Sequence, residues 1–370
     1  MAPLPDDSVQ ATPLPNNFPQ EHPKAIYSDG KGPIKQDLVW YNIIRTIFYH
    51  IIALFGVWKL VTLQVMWQTF LFAVVVYFFT LIGVTGGAHR LWSHRAYKVT
   101  LPLKLFIMFI FTVSYQDTIY SWARNHRLHH KYTDTDADPH NSTRGFIFCH
   151  IGWLHVRKHP DVISKGKTID LSDIEGDRLV MLQKKYYNPI APLVAMVLPT
   201  FIPYYFWGET LSISFLVNVL RLLLGFHATF AINSFAHLYG TKPYDRTINP
   251  RESKVLKAIA IGEGWHNYHH TFPWDYRAAE FSNYFLNLTT TFLDFWAFFG
   301  QAYDLKIASE DMIRKRVART GDGSWKDVKG KGILNAPNET TSHNFYEDCV
   351  WGWGDKDMKE EDIQDVTKSQ

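Results

Sequence analysis

Seventeen histidines in 370 residues are the chemical excess of this sequence, and nine of them fall into a pattern. His126, His129 and His130 stand in HRLHH, and His266, His269 and His270 repeat that spacing in HNYHH. Positions i, i+3 and i+4 share one face of a helix, so each block turns three imidazoles toward a common point. His89 and His94 pair in HRLWSH, and His237 closes NSFAHLYG. Adjacent imidazoles without a cation between them compete for donors and repel when protonated. The nine are therefore predicted metal ligands. They exceed what one zinc ion uses, and the HExxH pattern of hydrolytic zinc sites is absent, so two ions are implied. Imidazole suits iron, zinc, copper and nickel alike; a site beside a membrane, left with oxygen chemistry on a lipid, favours iron. Haem takes one or two axial ligands and would leave most of the nine unused. Only Cys149 and Cys349 are present, which excludes a disulfide framework, a four-cysteine zinc site and a four-thiolate iron-sulfur cluster. His22, His50, His159 and His343 read as ordinary surface or core residues, and His140, His150, His155 and His227 as structural ones.

Apolar helices must carry these ligands. The net charge of +3 gives no reason to expect a polyanion partner, and the mildly negative mean hydropathy averages strongly apolar blocks with strongly polar ones. Trp67 to Ala88 runs 22 residues without Asp, Glu, Lys or Arg, enough to cross a hydrocarbon core of about 30 Å. Leu38 to Val61 precedes it as the other arm of a helical hairpin. Tyr186 to Gly208 and Leu211 to Ala236 form a second pair, with Arg221 the one charge inside the latter. Leu101 to Tyr115 is apolar but too short to cross, which predicts a buried or interfacial helix. Residues 89–185 hold 15 Lys and Arg, against almost none in the turns of the hairpins, so the positive-inside rule puts this segment and both termini in the cytosol.

The expected organisation is an all-α integral membrane protein with four transmembrane helices and a cytosolic helical cap. A disordered tail covers 1–37, with no signal-peptide pattern. Spans one and two cover 38–88, a cytosolic segment with the first two histidine blocks 89–185, spans three and four 186–237, a cytosolic segment with the third block 238–322, and a polar tail 323–370.

HRLWSH, WARNHRLHHKYTDTDADPHN and GEGWHNYHHTFPWDYRAAE resemble the three histidine boxes of the acyl-CoA desaturases, in particular the stearoyl-CoA (delta-9) branch. The resemblance runs from about Leu38 to Asp322, and the Trp-Gly-Trp-Gly of residues 351–354 is similar to insect members. It implies that the nine histidines hold two ferrous ions, with a water held by Asn233 completing one position. It implies a cis double bond, most readily delta-9, introduced into a saturated fatty acyl-CoA with O2. Cytochrome b5, fed by NADH-cytochrome b5 reductase, would supply two electrons at the endoplasmic reticulum membrane, since the chain has no flavin or dinucleotide fingerprint of its own. A basic face around Arg124, Arg127, Lys131, Arg157 and Lys158 would suit an acidic donor.

By the same resemblance, Asn42, Asp117, Arg124, Asn125, Arg157, Lys158 and Phe230 hold the substrate head, while Gln116, Trp122 and Thr229 hold the bend of the acyl tunnel. Asn125 stands where an acidic residue is usual, Asp117 where Asn is frequent and Phe230 where Trp is common. Leu81 lies eight residues before His89, about 12 Å deeper on a regular helix, and Tyr77 lies one turn below it. Relatives often carry a smaller residue at the position of Leu81, so a tunnel floored by Tyr77 and shortened by Leu81 is expected to prefer acyl chains of 16 carbons or fewer over those of 18. Delta-11 or another regioselectivity, and membrane hydroxylation, use the same boxes and stay open; a non-enzymatic acyl-CoA binder would be favoured by a lost ligand, and none is lost.

Overall fold

A computed structural model describes residues 36–280, 284–325 and 349–369. The expected N-terminal tail lies outside the described residues except for Gln36 and Asp37. The fold is mostly helical, with four helices among the described residues long and apolar enough to cross a membrane: Trp40–Val61, Trp67–Ser93, Arg178–Trp207 and Leu211–Leu238. The first lies against the fourth, which also packs against the second and third. Two antiparallel ribbons add to this, Lys98–Val99 with Ala302–Tyr303 and Leu305–Ile307 with Thr367–Ser369. They are minor additions to the expected helical fold, and pairings of two or three residues are too short to leave an alternating pattern in sequence.

The second span is longer than its apolar run. Past Ile82 it widens into a π-helix, Gly83–Ser93, that carries His89 and ends at His94. Glycines permit this. A Cβ on Gly83 would lie 2.5 Å from the backbone nitrogen of Phe111, and one on Gly87 2.5 Å from Ile107. The wide turn thus presses directly onto the short apolar helix Leu101–Val113, and π-turns of this kind are frequent at functional sites. That helix buries Leu103, Ile107, Ile110 and Phe111 and exposes Leu101, Leu105 and Phe109, consistent with the buried or interfacial expectation.

The third span contains Pro189, Pro192, Pro199 and Pro203 and takes a π-turn over Leu193–Val197, because each proline removes an N–H from the helical ladder. A carbonyl freed there finds a cation. Arg221 of the fourth span is 4% exposed and donates to the carbonyls of Ala195 at 3.1 Å and Val113 at 3.3 Å and to Asn218 Oδ1 at 2.6 Å. The charge inside an apolar run is therefore fully partnered, as intramembrane charges must be. At the far end, Gly208 adopts φ +75° to stop the third span, and buried Glu209 accepts from Met66 N at 2.9 Å and Thr69 Oγ1 at 3.0 Å, tying the two hairpin turns together.

Residues 323–370, expected as a polar tail, return to the cap in their described part. Trp325, Trp351 and Met358 are buried, and Trp325 and Met358 join a core with Tyr244, Trp265, Tyr268 and Trp274. A handful of large apolar anchors is enough to dock a segment whose average composition is polar.

Candidate metal centre and acyl cavity

The ends of the second and fourth spans, the helix Ile119–Lys131 and the short helix His266–Thr271 converge. They gather the nine histidines into two groups. His89, His94, His126, His130 and His269 form one, and His129, His237, His266 and His270 the other; within each, the ligand atoms lie within 4.8 Å of one another. The interleaving follows from helical spacing: His126 and His130 share one row, His129 turns to the second group, and His269 separates in the same way from His266 and His270.

Several ring nitrogens face each other as if across a common centre. The Nε2 atoms of His89 and His269 are 2.9 Å apart, those of His94 and His126 2.9 Å, and those of His237 and His266 3.0 Å. On the outer side, His89 Nδ1 lies 3.1 Å from Glu263, His129 Nδ1 2.8 Å from Asp138 and His237 Nδ1 3.1 Å from Asp134. The ring of His94 donates from Nδ1 to the backbone carbonyl of Trp351. An imidazole that spends its proton outward turns a bare lone pair inward, and lone pairs held this close are tolerable only with a cation among them. The donor set therefore fits metal ions. Burial, followed by the neighbouring imidazoles, holds the rings of His94, His126, His130, His266, His269 and His270 well below their usual pKa, in the neutral form a metal needs. Burial alone would raise Glu263; His89 and Arg90 outweigh it and bring the carboxyl down to about 2.

An apolar cavity runs up to these histidines, with Leu81, Val84 and Thr85 on one wall and Ala228, Thr229, Ile232 and Asn233 on the other. Trp122 closes it on the cap side, stacked on His126 with ring centroids 4.8 Å apart. Leu81, Trp122, Thr229 and Asn233 thus meet at one place, beside His89, His126, His129 and His266. Tyr77 is not among the lining residues, so Leu81 itself stands deepest in the cavity wall on the second span.

Arg124, Asn125 and Lys158 line a separate open groove on the cap, where Asn125 Oδ1 accepts from Lys158 at 3.1 Å. Arg157 is exposed beside Gln36 and Asp37. Asn42 donates to Leu154 O at 2.7 Å near the start of the first span, and Gln116 reaches Gly225 O at 3.5 Å. Asp117, exposed and at φ +71°, accepts from Thr118 N. Phe230 sits among His150, His227, Phe226 and Trp153 and does not line the cavity.

The expected basic face needs a correction. Arg127 is fully buried: it donates to the carbonyls of Trp92 and Ser93 and pairs with Asp173 at 2.7 Å. Lys131 is held by Asp355 at 2.9 Å and by Asp357. Both carry charge but face inward or to the C-terminal segment, so neither belongs to an open cationic surface. Residues missed in the sequence are the outer partners Glu263, Asp134 and Asp138, with Arg90 at 2.8 Å from Glu263. The signal was present, since three aspartates follow HRLHH within eight residues and a glutamate stands three before His266; ligating imidazoles require acceptors of this kind.

The family model for fatty acid desaturase matches residues 65–285. The chain is 49% identical over 334 residues to an acyl-CoA Delta-9 desaturase of Acheta domesticus, covering 90% of this chain and 86% of that protein. It is 49% identical over 331 residues to an acyl-CoA Delta-12 desaturase of Tribolium castaneum, covering 89% and 91%. It is also 49% identical over 302 residues to the stearoyl-CoA desaturase of Homo sapiens, covering 81% and 83%.

Proposed function

The chain belongs to the fatty acid desaturase family, and we propose that it places a cis double bond at the delta-9 position of a saturated fatty acyl-CoA, with dioxygen as oxidant and cytochrome b5 as electron donor. The observation that carries this reading is the apolar cavity that joins Leu81 to residues of both histidine groups, which would bring a saturated methylene against the metal ligands. Two iron ions, held by the five-histidine and four-histidine groups, would supply the oxygen-dependent hydrogen removal that no side-chain acid or base performs on an unactivated methylene. The protein's part is positional. Glu263, Asp134 and Asp138 hold the outer ring protons and aim the inner lone pairs; Asn233 holds a water at the four-histidine group; Trp122 and Thr229 shape the chain where it passes. Arg124, Asn125, Arg157 and Lys158 offer the cations and donors that a coenzyme A phosphate requires, with Asn42, Gln116, Asp117 and Phe230 flanking the entry.

Relatives named for Delta-9 and for Delta-12 are equally identical to this chain, so products must fix the bond position. Expressed in a desaturase-deficient yeast, the chain should yield delta-9 monoenes by mass spectrometry. A delta-11 or delta-12 product would overturn the position, and a hydroxylated one the reaction.

Glu263→Gln tests the outer partners. It keeps the side chain's shape but leaves buried Arg90 uncompensated and weakens the hold on His89, so turnover and metal content should fall together by about 10–100-fold in affinity or rate. Wild-type turnover in this variant would show that the carboxylate does not orient the ligand.

An endoplasmic reticulum location with both termini cytosolic completes the proposal. A glycosylation acceptor on a spacer inserted at Leu63, 90% exposed in the first hairpin turn, should be modified in microsomes, whereas one at the N terminus should not. The reverse pattern would invert the topology.

A further inference from the structure

We propose that the C-terminal segment from Cys349 to Met358 is a positioning element for the ligand His94, with Trp351 as its anchor; the inference rests on the metal reading above. His94 stands at the end of the π-helix, and the chain turns away at once, Arg95 taking φ +52°. Its ring is steadied from 257 residues away in sequence, by the Trp351 carbonyl that accepts from Nδ1. The backbone is gripped as well. Trp353 N donates to His94 O at 2.9 Å, and a Cβ on Gly352 would lie 2.5 Å from that same oxygen, so this residue must be glycine for the segment to come so close.

The anchor is built for the purpose. The indole of Trp351 is 2% exposed and lies under the guanidinium of Arg127, 4.0 Å from the ring centroid, and that of Arg95, 4.9 Å away. Asp173 joins both arginines, at 2.7 Å from Arg127 and 2.6 Å from Arg95. Trp351 N donates to Asp355 at 2.9 Å, and Asp355 pairs with Lys131 at 2.9 Å, the residue that follows His130. Lys131 also donates to the Cys349 carbonyl at 2.9 Å. The segment therefore clasps the first histidine block and the helix of the second at once. Whereas His89, His129 and His237 lean on carboxylates, His94 leans on a neutral carbonyl at the end of a distant segment. Retention of metal by the five-histidine group should then depend on that segment, and retention by the four-histidine group should not.

The test uses the full chain in detergent, loaded anaerobically with ferrous iron, with iron counted per chain and its release to a chelator followed in time. The wild type should hold about two irons per chain. Trp351→Ala, and independently Asp355→Ala, should release one iron about 10–100-fold faster while the other leaves at the wild-type rate, which also shows that the variant is folded. Trp351→Phe keeps both the carbonyl and an aromatic face for the arginines, and should release iron as the wild type does. Two irons leaving both alanine variants at wild-type rates, or both irons accelerated equally, would overturn the positioning role. A wild type that binds fewer than two irons would instead overturn the metal reading beneath it.

Discussion

Replacing His129 by alanine should abolish desaturation while leaving the protein inserted in the membrane. His129 is 3% exposed and held through Nδ1 by Asp138 at 2.8 Å, and it shares the four-histidine group with His237, His266 and His270. Asp138 holds the ring firmly: burial disfavours the charge on each, but their mutual attraction outweighs it, raising the pKa of the ring and lowering that of the carboxyl. Loss of an outer partner alone costs a metal site about 10–100-fold, so loss of the ligand itself should lower turnover by at least about 100-fold. Insertion should survive because the ring lies outside the four spans and contributes nothing to their apolar faces. The same result is expected for alanine at His126, His130, His266, His269 or His270. Iron content must be measured with activity, because imidazole cages accept zinc readily. A His129→Ala protein with substantial turnover and about two irons per chain would remove that residue from the ligand set.

The spans and the nine imidazoles were legible because each is a local signal, an apolar run of sufficient length or a helical spacing of one residue type. What escaped was set by contacts between distant parts of the chain. HRLHHK contains Arg127 and Lys131 with nothing beside them to say which is covered, and it is Trp351, Asp173 and Asp355, from segments far along the sequence, that bury the one and pair the other. The π-helix was equally invisible. Gly83 and Gly87 carry no local mark of it, and their meaning appears only where Phe111 and Ile107 press against them. Arg221 stands in the sequence as a lone charge in the fourth span's apolar run, because the carbonyl that receives it is released by prolines in the third. Tyr77, one turn below Leu81 on a regular helix, is not among the residues that line the cavity.

That last difference sharpens the expectation for chain length. Leu81 is 4% exposed and lines the cavity, so it faces that space and not the lipid. Its depth below His89 is less than the roughly 12 Å of a regular helix, because most of the intervening residues are wound as a π-helix, with more residues per unit length. A saturated chain that presents carbons 9 and 10 to the metal ligands must end its methyl group near this side chain, which favours 16 carbons over 18. Leu81→Ala should open space for the two further methylenes. At about 0.8 kcal/mol for each methylene buried, the change is worth roughly 1.6 kcal/mol, or about 15-fold in the ratio of kcat/KM for 18-carbon against 16-carbon substrates. Double-bond position should not move, since the histidines and Trp122 are untouched by the substitution and only the floor recedes. The measurement is the ratio of 18-carbon to 16-carbon monoenes made from an equimolar mixture of the two acyl-CoAs. An unchanged ratio, or a wild-type enzyme that already prefers 18 carbons, would show that the chain is measured elsewhere; a shifted double bond would show that Leu81 sets how far the chain slides past the ligands and not where it stops.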